Sequence, residues 1–132
     1  MGAEEITSYF SDKTLLGSIE ENHRYIKELL LIKANIMSQV QSAMDKRART
    51  KTPLSERRQR VFSEFTSVYA KEGGQLRESL TKIEHIQNLI HTEKNTLDFM
   101  LSVSLLKKHQ NNAIKNLRLM ISSSENVLTA IL

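Results

Sequence analysis

One stretch of the chain, residues 18–44, has the residue pattern of a long amphipathic helix. Its apolar residues recur at steps of three and four over about seven turns, which is the helical period. Within this stretch stand four consecutive large apolar residues, Leu29, Leu30, Leu31 and Ile32. Successive helical side chains are about 100° apart, so these four point to different sides. We therefore expect this helix to be covered on more than one side, by other helices of the chain or by a partner.

Helix-breaking residues are scarce along the rest of the chain. The 132 residues include one proline and four glycines, and the sequence shows no strand-like alternation. Such a composition favours long helices, and the length suits one domain with its own core. We predict an all-α fold, either an antiparallel helical bundle or an extended helical hairpin with coiled-coil character, with three to four helices. Residues 18–132 would form this single helical domain, and residues 1–17 an N-terminal arm or short helix.

Three places are predicted to interrupt the helices. Near residues 49–52, several basic residues precede Thr52, a good N-cap, and Pro53, which suits the first position of a helix. At residues 73–74 two adjacent glycines predict a turn or a kink, since each costs about 1 kcal/mol relative to alanine inside a helix. At residues 111–112 two adjacent asparagines predict the last break.

The first helix has two possible starting points. Ser18 and Glu21 have the spacing of a capping box, in which each side chain bonds a free backbone N–H of the first turn. This pattern predicts a start at Ser18. A continuous helix from about Thr14 is the alternative.

The predicted breaks allow two arrangements of the helices. In the first, four helices pack as an antiparallel bundle and cover residues 19–49, 53–72, 75–110 and 112–131. In the second, residues 53–110 form one long kinked helix that pairs with the first helix as a hairpin. Either arrangement leaves apolar surface uncovered, because the helices differ in length.

A coiled-coil-like pattern runs through the second half of the chain. Apolar residues there advance by steps of four and three, as coiled-coil seams do, and include Leu76, Leu80, Ile83, Ile90, Leu97 and Leu101. This seam predicts a continuous helix over residues 75–110. The last residues, 127–132, are also largely apolar, so we expect the C-terminus to pack against other residues.

Positive charge is concentrated in one short segment. The formal net charge is +4, and residues 46–60 alone contain seven lysines and arginines against one glutamate. Cations at the end of the first helix are expected from its dipole, whereas arginines in the first turns of the next helix are mildly unfavourable. The segment is therefore a solvated turn, a contact for an acidic partner, or a site for nucleic acid or anionic lipid. Its residues are Lys46, Arg47, Arg49, Lys51, Arg57, Arg58 and Arg60.

The sequence contains no recognisable catalytic, metal-binding or nucleotide-binding motif. Cysteine is absent, which excludes disulfides, thiolate zinc sites and cysteine nucleophiles. His85 and His91 are six residues apart, whereas two ligands on one helix face are three or four apart. His109 follows two lysines but lacks the lysine–glycine pair that phosphotransfer domains place after their histidine. We therefore expect no enzymatic activity, no cofactor or metal, and no small-molecule substrate.

Targeting signals are also missing from the sequence. The first residues lack the basic start and apolar core of a signal peptide, and no apolar run approaches the ~18 residues of a membrane span. Ile6 stands where the myristoylation pattern requires serine or threonine. Together with the lack of cysteine, these observations predict a soluble, cytoplasmic protein without a transmembrane segment.

The apolar helix faces favour a non-enzymatic helical interaction protein, such as a chaperone, an adaptor or a complex subunit. It would bind a partner helix or self-associate as an oligomer, because uncovered apolar surface of this kind marks interfaces. The alternative is binding of nucleic acid or an anionic membrane through residues 46–60. The residues predicted to contact a partner are Leu29, Leu30, Leu31, Ile32, Leu80, Ile83, Ile90, Leu97, Leu128 and Ile131.

Overall fold

Three long α-helices make up the computed structural model, which describes residues 15–50 and 53–132, with side chains from residue 18 onward. These helices are α1 (Leu15–Thr50), α2 (Glu56–Thr92) and α3 (Thr96–Ile131), and the described residues contain no strand. The predicted all-α bundle is therefore confirmed, with three helices. The N-terminal arm predicted for residues 1–17 lies outside the described residues, apart from residues 15–17, which belong to α1.

Helix α3 lies at the centre of the bundle. Its backbone runs close to both α1 and α2, whereas α1 and α2 approach each other much less. The helix is parallel to α1, because Gln110 Nε2 donates to the carbonyl oxygen of Ile19 at 3.2 Å and Ser124 Oγ lies 3.8 Å from Met37 Sδ. It is antiparallel to α2, because Asn116 bonds Glu72 whereas the later Ser124 Oγ lies 2.6 Å from the hydroxyl of the earlier Tyr69. Ser124 is thus a point where all three helices meet.

The core follows α3 along its length, because this helix presents an apolar side to each neighbour. The larger of two clusters of buried residues contains Ile19, Ile26, Leu29, Leu76, Ile83, Ile86, Phe99, Val103, Leu106, Ala113, Leu117, Met120 and Ile121. The smaller cluster lies near the C-terminal ends of α1 and α3 and contains Val40, Ala43, Val127 and Ile131. The predicted packing of the apolar C-terminus is confirmed for Val127 and Ile131, whereas Leu132 is exposed.

Polar side chains cap the N-termini of α2 and α3. Ser55 is the N-cap of α2 and accepts a hydrogen bond from the backbone N–H of Arg58, and Asn95 does the same for Asp98 in α3. Such caps satisfy N–H groups that have no partner within the helix. The predicted break near residues 49–52 is confirmed, since α1 ends at Thr50. The predicted helix start at Pro53 is wrong, because α2 begins at Glu56.

The turn predicted at Gly73 and Gly74 is wrong, because both glycines lie inside α2, and the continuous helix of the alternative prediction is confirmed across them. Neither glycine has a positive φ, and a Cβ on Gly74 would meet no atom within 4 Å. The neighbouring Glu72 and Leu76 are buried, and burying a leucine side chain contributes about 1.5–3 kcal/mol. Burial along this part of α2 therefore outweighs the helix penalty of the glycine pair.

Replacement of Gly74 by alanine is expected to stabilise the protein by about 0.5–1 kcal/mol. Alanine has the higher helix propensity, it restricts the unfolded chain, and its methyl group would point into open space. Urea unfolding followed by circular dichroism measures the change. Gly73→Ala is the matched comparison, since its Cβ would lie 3.6 Å from Met120 Cε, an ordinary contact distance. A lower unfolding midpoint for Gly74→Ala would contradict an uninterrupted helix at this position.

The break predicted at residues 111–112 is also wrong, because α3 continues through both exposed asparagines. The chain instead turns at residues 93–95, where no break was predicted. There the Glu93 carboxylate accepts the backbone N–H of Asn95 at 2.8 Å, and Asn95 caps α3. The continuous helix over residues 75–110 is therefore wrong, and its apolar seam is divided between α2 and α3.

The predicted start of the first helix at Ser18 is wrong as well. The helix already includes Leu15, in agreement with the alternative start near Thr14. Ser18 lies within the helix, where backbone N–H groups bond carbonyl oxygens of the preceding turn, so the capping box is not needed.

Candidate partner-binding surface

The residues predicted to contact a partner are divided between the core and the surface. The buried ones are Leu29, Ile83 and Ile131. Those that are half-buried and pack against a core cluster are Leu30, Leu80, Ile90 and Leu128. The exposed ones are Leu31, Ile32 and Leu97. Seven of the ten therefore stabilise the fold itself, and the run of residues 29–32 places its first two members inward and its last two outward.

Four exposed leucines gather at the end of the bundle where α2 turns into α3. Leu89 on α2 is 46% exposed, and on α3 Leu97 is 64%, Leu101 60% and Leu105 45% exposed. The three on α3 follow one another at steps of four, so they form a stripe along that helix. Because α2 is antiparallel to α3 and Lys82 and His109 line the same cleft, Leu89, seven residues after Lys82, lies about level with Leu101. We call these four residues the leucine patch.

The leucine patch rests on a packed part of the molecule. Beneath it, Ile83 and Ile86 of α2 and Phe99, Val103 and Leu106 of α3 are all buried. Leu97 and Leu101 belong to the apolar seam read from the sequence, whereas Leu89 and Leu105 lie outside that heptad phase and were missed. Leu89 and Leu105 could be recognised only as part of a second apolar stripe beside the seam. That stripe becomes visible once the position of the turn at residues 93–95 is known.

A polar cleft of about 390 Å³ lies between α2 and α3. At its floor Asn116 Nδ2 donates to the carboxylate of Glu72 and, at 3.1 Å, to Gln75 Oε1. Glu72 is 8% exposed and Asn116 4%, and Asn116 Oδ1 is buried without a partner. The lining residues are Lys71, Glu72, Gln75, Glu78, Ser79, Lys82, His109, Asn112, Lys115 and Asn116. Of these residues only His109 was weighed in the sequence, where it lacked the pattern of a phosphotransfer site.

The ionisable groups in the middle of this cleft influence one another. Lys82 Nζ lies 2.8 Å from Glu78, and its hydrogen bond and positive charge lower the pKa of that carboxyl. Burial lowers the pKa of the His109 imidazole, and the charges of Lys82 and Lys108 lower it further, while Glu78 acts in the opposite direction. The cleft therefore holds a paired lysine and glutamate next to an imidazole whose pKa lies below its ordinary value.

The basic residues of the segment 46–60 meet at the opposite end of the bundle from the leucine patch. Lys46, Arg47 and Arg49 end α1, and Arg57, Arg58 and Arg60 begin α2. Lys51 lies outside the described residues. All of the six except Arg47 and Arg58 are exposed.

Arg58 has a structural role within this end of the bundle. Its Nε donates to the carbonyl oxygen of Ala130 at 2.7 Å. That carbonyl belongs to the last turn of α3, where the helix itself supplies no donor and the dipole favours a cation. This hydrogen bond accounts for one arginine of the basic segment, so no bound ligand is needed to explain its presence.

The part of the chain that the structure describes contains neither a metal-binding cluster nor a helix that could span a membrane. No group of three or more histidine, aspartate or glutamate side chains there is arranged to hold a metal ion. None of the helices α1, α2 and α3 is long and apolar enough to cross a membrane.

Known proteins add no family to these observations. No family model, no curated protein and no solved structure matches this chain. A function for this chain therefore has to be inferred from the surfaces of its own fold.

Proposed function

We propose that this protein is a non-enzymatic helical interaction protein that binds an amphipathic helix of a protein partner on the leucine patch. It would serve as a chaperone, an adaptor or a complex subunit. The observation that carries the proposal is the exposure of Leu97 and Leu101, each more than half accessible, beside Leu89 and Leu105. The cytoplasmic location predicted from the cysteine-free sequence is part of the same proposal.

The size of the patch suits a helix from a partner. Complete burial of a leucine side chain contributes about 1.5–3 kcal/mol, so four leucines that are about half exposed would contribute roughly 3–6 kcal/mol when covered. Association itself costs about 4–15 kcal/mol. The leucine patch therefore anchors a partner, and further contacts beyond it are required for stable binding.

The exposed pair Leu31 and Ile32 on α1 is a smaller candidate surface. It offers two large apolar side chains, whereas the leucine patch offers four from two helices. Anchors from adjacent helices form a groove that accepts the apolar face of a third helix. For this reason we assign the partner to the leucine patch.

Binding of nucleic acid or an anionic membrane at residues 46–60 has less support. Arg58 is already bonded to Ala130, and the dipole of α1 accounts for cations at its end. Phe62 and Phe65, the aromatic residues that follow the basic segment in α2, pack against the smaller core cluster. They are therefore not free to stack on bases.

The proposal is tested with Leu97→Glu/Leu101→Glu in the full chain. Both residues are exposed, so the variant should keep the helix content and unfolding midpoint of the wild type. Wild-type protein used as bait, followed by cross-linking and mass spectrometry, is expected to recover a protein whose cross-links map to one amphipathic helix. The double variant should lose that protein. Leu31→Glu, which changes an exposed leucine on α1, is the matched control and should retain it.

Two results would count against the proposal. One is recovery of the same protein by the wild type and both variants, because the leucine patch would then be irrelevant to binding. The other is cross-links that map to the basic end around Arg57 and Arg60, which would favour the alternative site.

A further inference from the structure

The leucine patch and the polar cleft lie on the same side of the helix pair α2 and α3, and we call this side the groove. On α3, Leu101 precedes Asn112 by 11 residues, which is close to three complete turns, and Leu97 precedes Lys115 by 18 residues, which is five turns. Residues separated by whole turns lie on the same side of a helix. Asn112 and Lys115 line the cleft, so the leucines lie on the same side of α3 as the cleft does. A helix lying in this groove would pass from the leucines to the cleft.

The α2 wall of the groove has the same order. Leu89 follows Lys82 by seven residues, which is about two turns, so both side chains lie on one side of α2. Lys82 lines the cleft. Both walls are therefore apolar near the turn at residues 93–95 and polar further along.

Uncompensated charge in the polar part of the groove is positive. The cleft lining contains three lysines against two glutamates, and of these glutamates Glu78 is paired with Lys82 and Glu72 is buried. Within the described residues Lys71, Lys108 and Lys115 form no ion pair, and all three are exposed. Lys71 and Lys115 line the cleft, and Lys108 lies one turn from Asn112 in a neighbouring depression.

We infer that the partner is an acidic amphipathic helix, with apolar residues on the leucine patch and acidic residues along Lys71, Lys108 and Lys115. This inference rests on the proposed function and specifies its ligand. Leu97 and Lys115 are separated by 18 residues, or about 27 Å along α3, so the partner helix spans at least five turns. Lys108 and Lys115 lie about three and five turns beyond Leu97 on α3, so the partner's carboxylates lie at those distances from its anchor on Leu97.

The lysines contribute mainly to specificity and association rate. An exposed ion pair changes affinity by a few-fold, so three of them together change it by about tenfold. Opposite charges also accelerate the encounter of two proteins, and this effect decreases as salt rises. The leucines anchor the partner, and the lysines select an acidic one and set its register.

The test uses two designed helical peptides of about 24 residues, long enough to span the groove. In both peptides one half carries leucines on one face. On the same face of the other half, the first peptide carries glutamates and the matched second peptide carries lysines. Fluorescence anisotropy measures their binding to the full chain at low and high salt. We expect the glutamate peptide to bind about tenfold more tightly at low salt, and the difference to shrink at high salt.

Charge reversal in the protein completes the test. Lys71→Glu/Lys115→Glu is expected to invert the preference, so that the lysine peptide binds more tightly. Lys27→Glu, which reverses an exposed charge on α1, should change neither affinity. Lys71 and Lys115 are both exposed, so the charge-reversed double variant should fold, and its unfolding midpoint verifies this.

The outcomes separate this inference from the function on which it rests. Equal binding of the two peptides, lost in Leu97→Glu/Leu101→Glu but unaffected by the lysine reversal, overturns the acidic partner and leaves the helix-binding function standing. Failure of both peptides to bind overturns both. A wild-type dimer in sedimentation that becomes a monomer in Leu97→Glu/Leu101→Glu assigns the groove to a second copy and overturns the acidic partner.

Discussion

Replacement of Leu117 by alanine is expected to reduce the free energy of unfolding by about 3–5 kcal/mol. Leu117 lies near the middle of the central helix, belongs to the larger core cluster and is 0% exposed. The substitution removes buried methyl groups and leaves a cavity that three long helices cannot easily close. Equilibrium unfolding in urea, followed by circular dichroism at 222 nm, measures the loss.

Leu119→Ala is the matched control for this prediction. Leu119 lies on the same helix two residues further along and is 44% exposed, so its loss should stay within about 0.5 kcal/mol. Equal losses from the two variants would mean that α3 is not the buried central helix. A large loss from Leu117→Ala alone would support the central position of α3.

The second large effect is expected from Asn116→Leu, which should cost about 3 kcal/mol of stability. The substitution removes the amide that donates to the buried Glu72 carboxylate. A buried charged acceptor without a donor is expensive, and its cost exceeds the value of an ordinary hydrogen bond. Asn112→Leu, at an exposed asparagine one turn earlier, is the control and should have little effect.

The origin of that cost can be separated with a double-mutant cycle. Glu72→Leu combined with Asn116→Leu should recover most of the lost stability, because the pair and the unpartnered Asn116 Oδ1 are then removed together. Urea unfolding of the wild type, both single variants and the double variant gives the coupling between the two positions. Additive losses, with no recovery in the double variant, would show that the two side chains do not depend on each other in the folded protein.

Local sequence signals predicted the kind of structure better than its interruptions. The helical period of α1 and the basic turn before Pro53 were readable because each depends on neighbouring residues. The pair of glycines at 73–74 was misleading, since its local cost is smaller than the stability that α2 gains by packing on α3. The turn at residues 93–95 contains no glycine or proline, and its only local signal was Asn95 followed three residues later by Asp98.

The candidate surface was predicted only in part. Leu97 was among the residues expected to contact a partner, and it is one of the four leucines that the fold exposes together. Leu89 and Leu105 were not indicated, because their side chains lie off the apolar seam. The Glu72–Asn116 contact joins residues 44 positions apart, so no local pattern indicates it.

Long amphipathic helices were predictable from the residues alone, because the spacing of apolar residues along a helix is a local property. Which apolar face is covered became known only from the packing of the three helices. Leu117 and Leu119 are the same residue type two positions apart on α3, yet one is buried and the other exposed. Burial differs because it depends on where α1 and α2 lie around α3, and that position is set by the summed packing of all three helices.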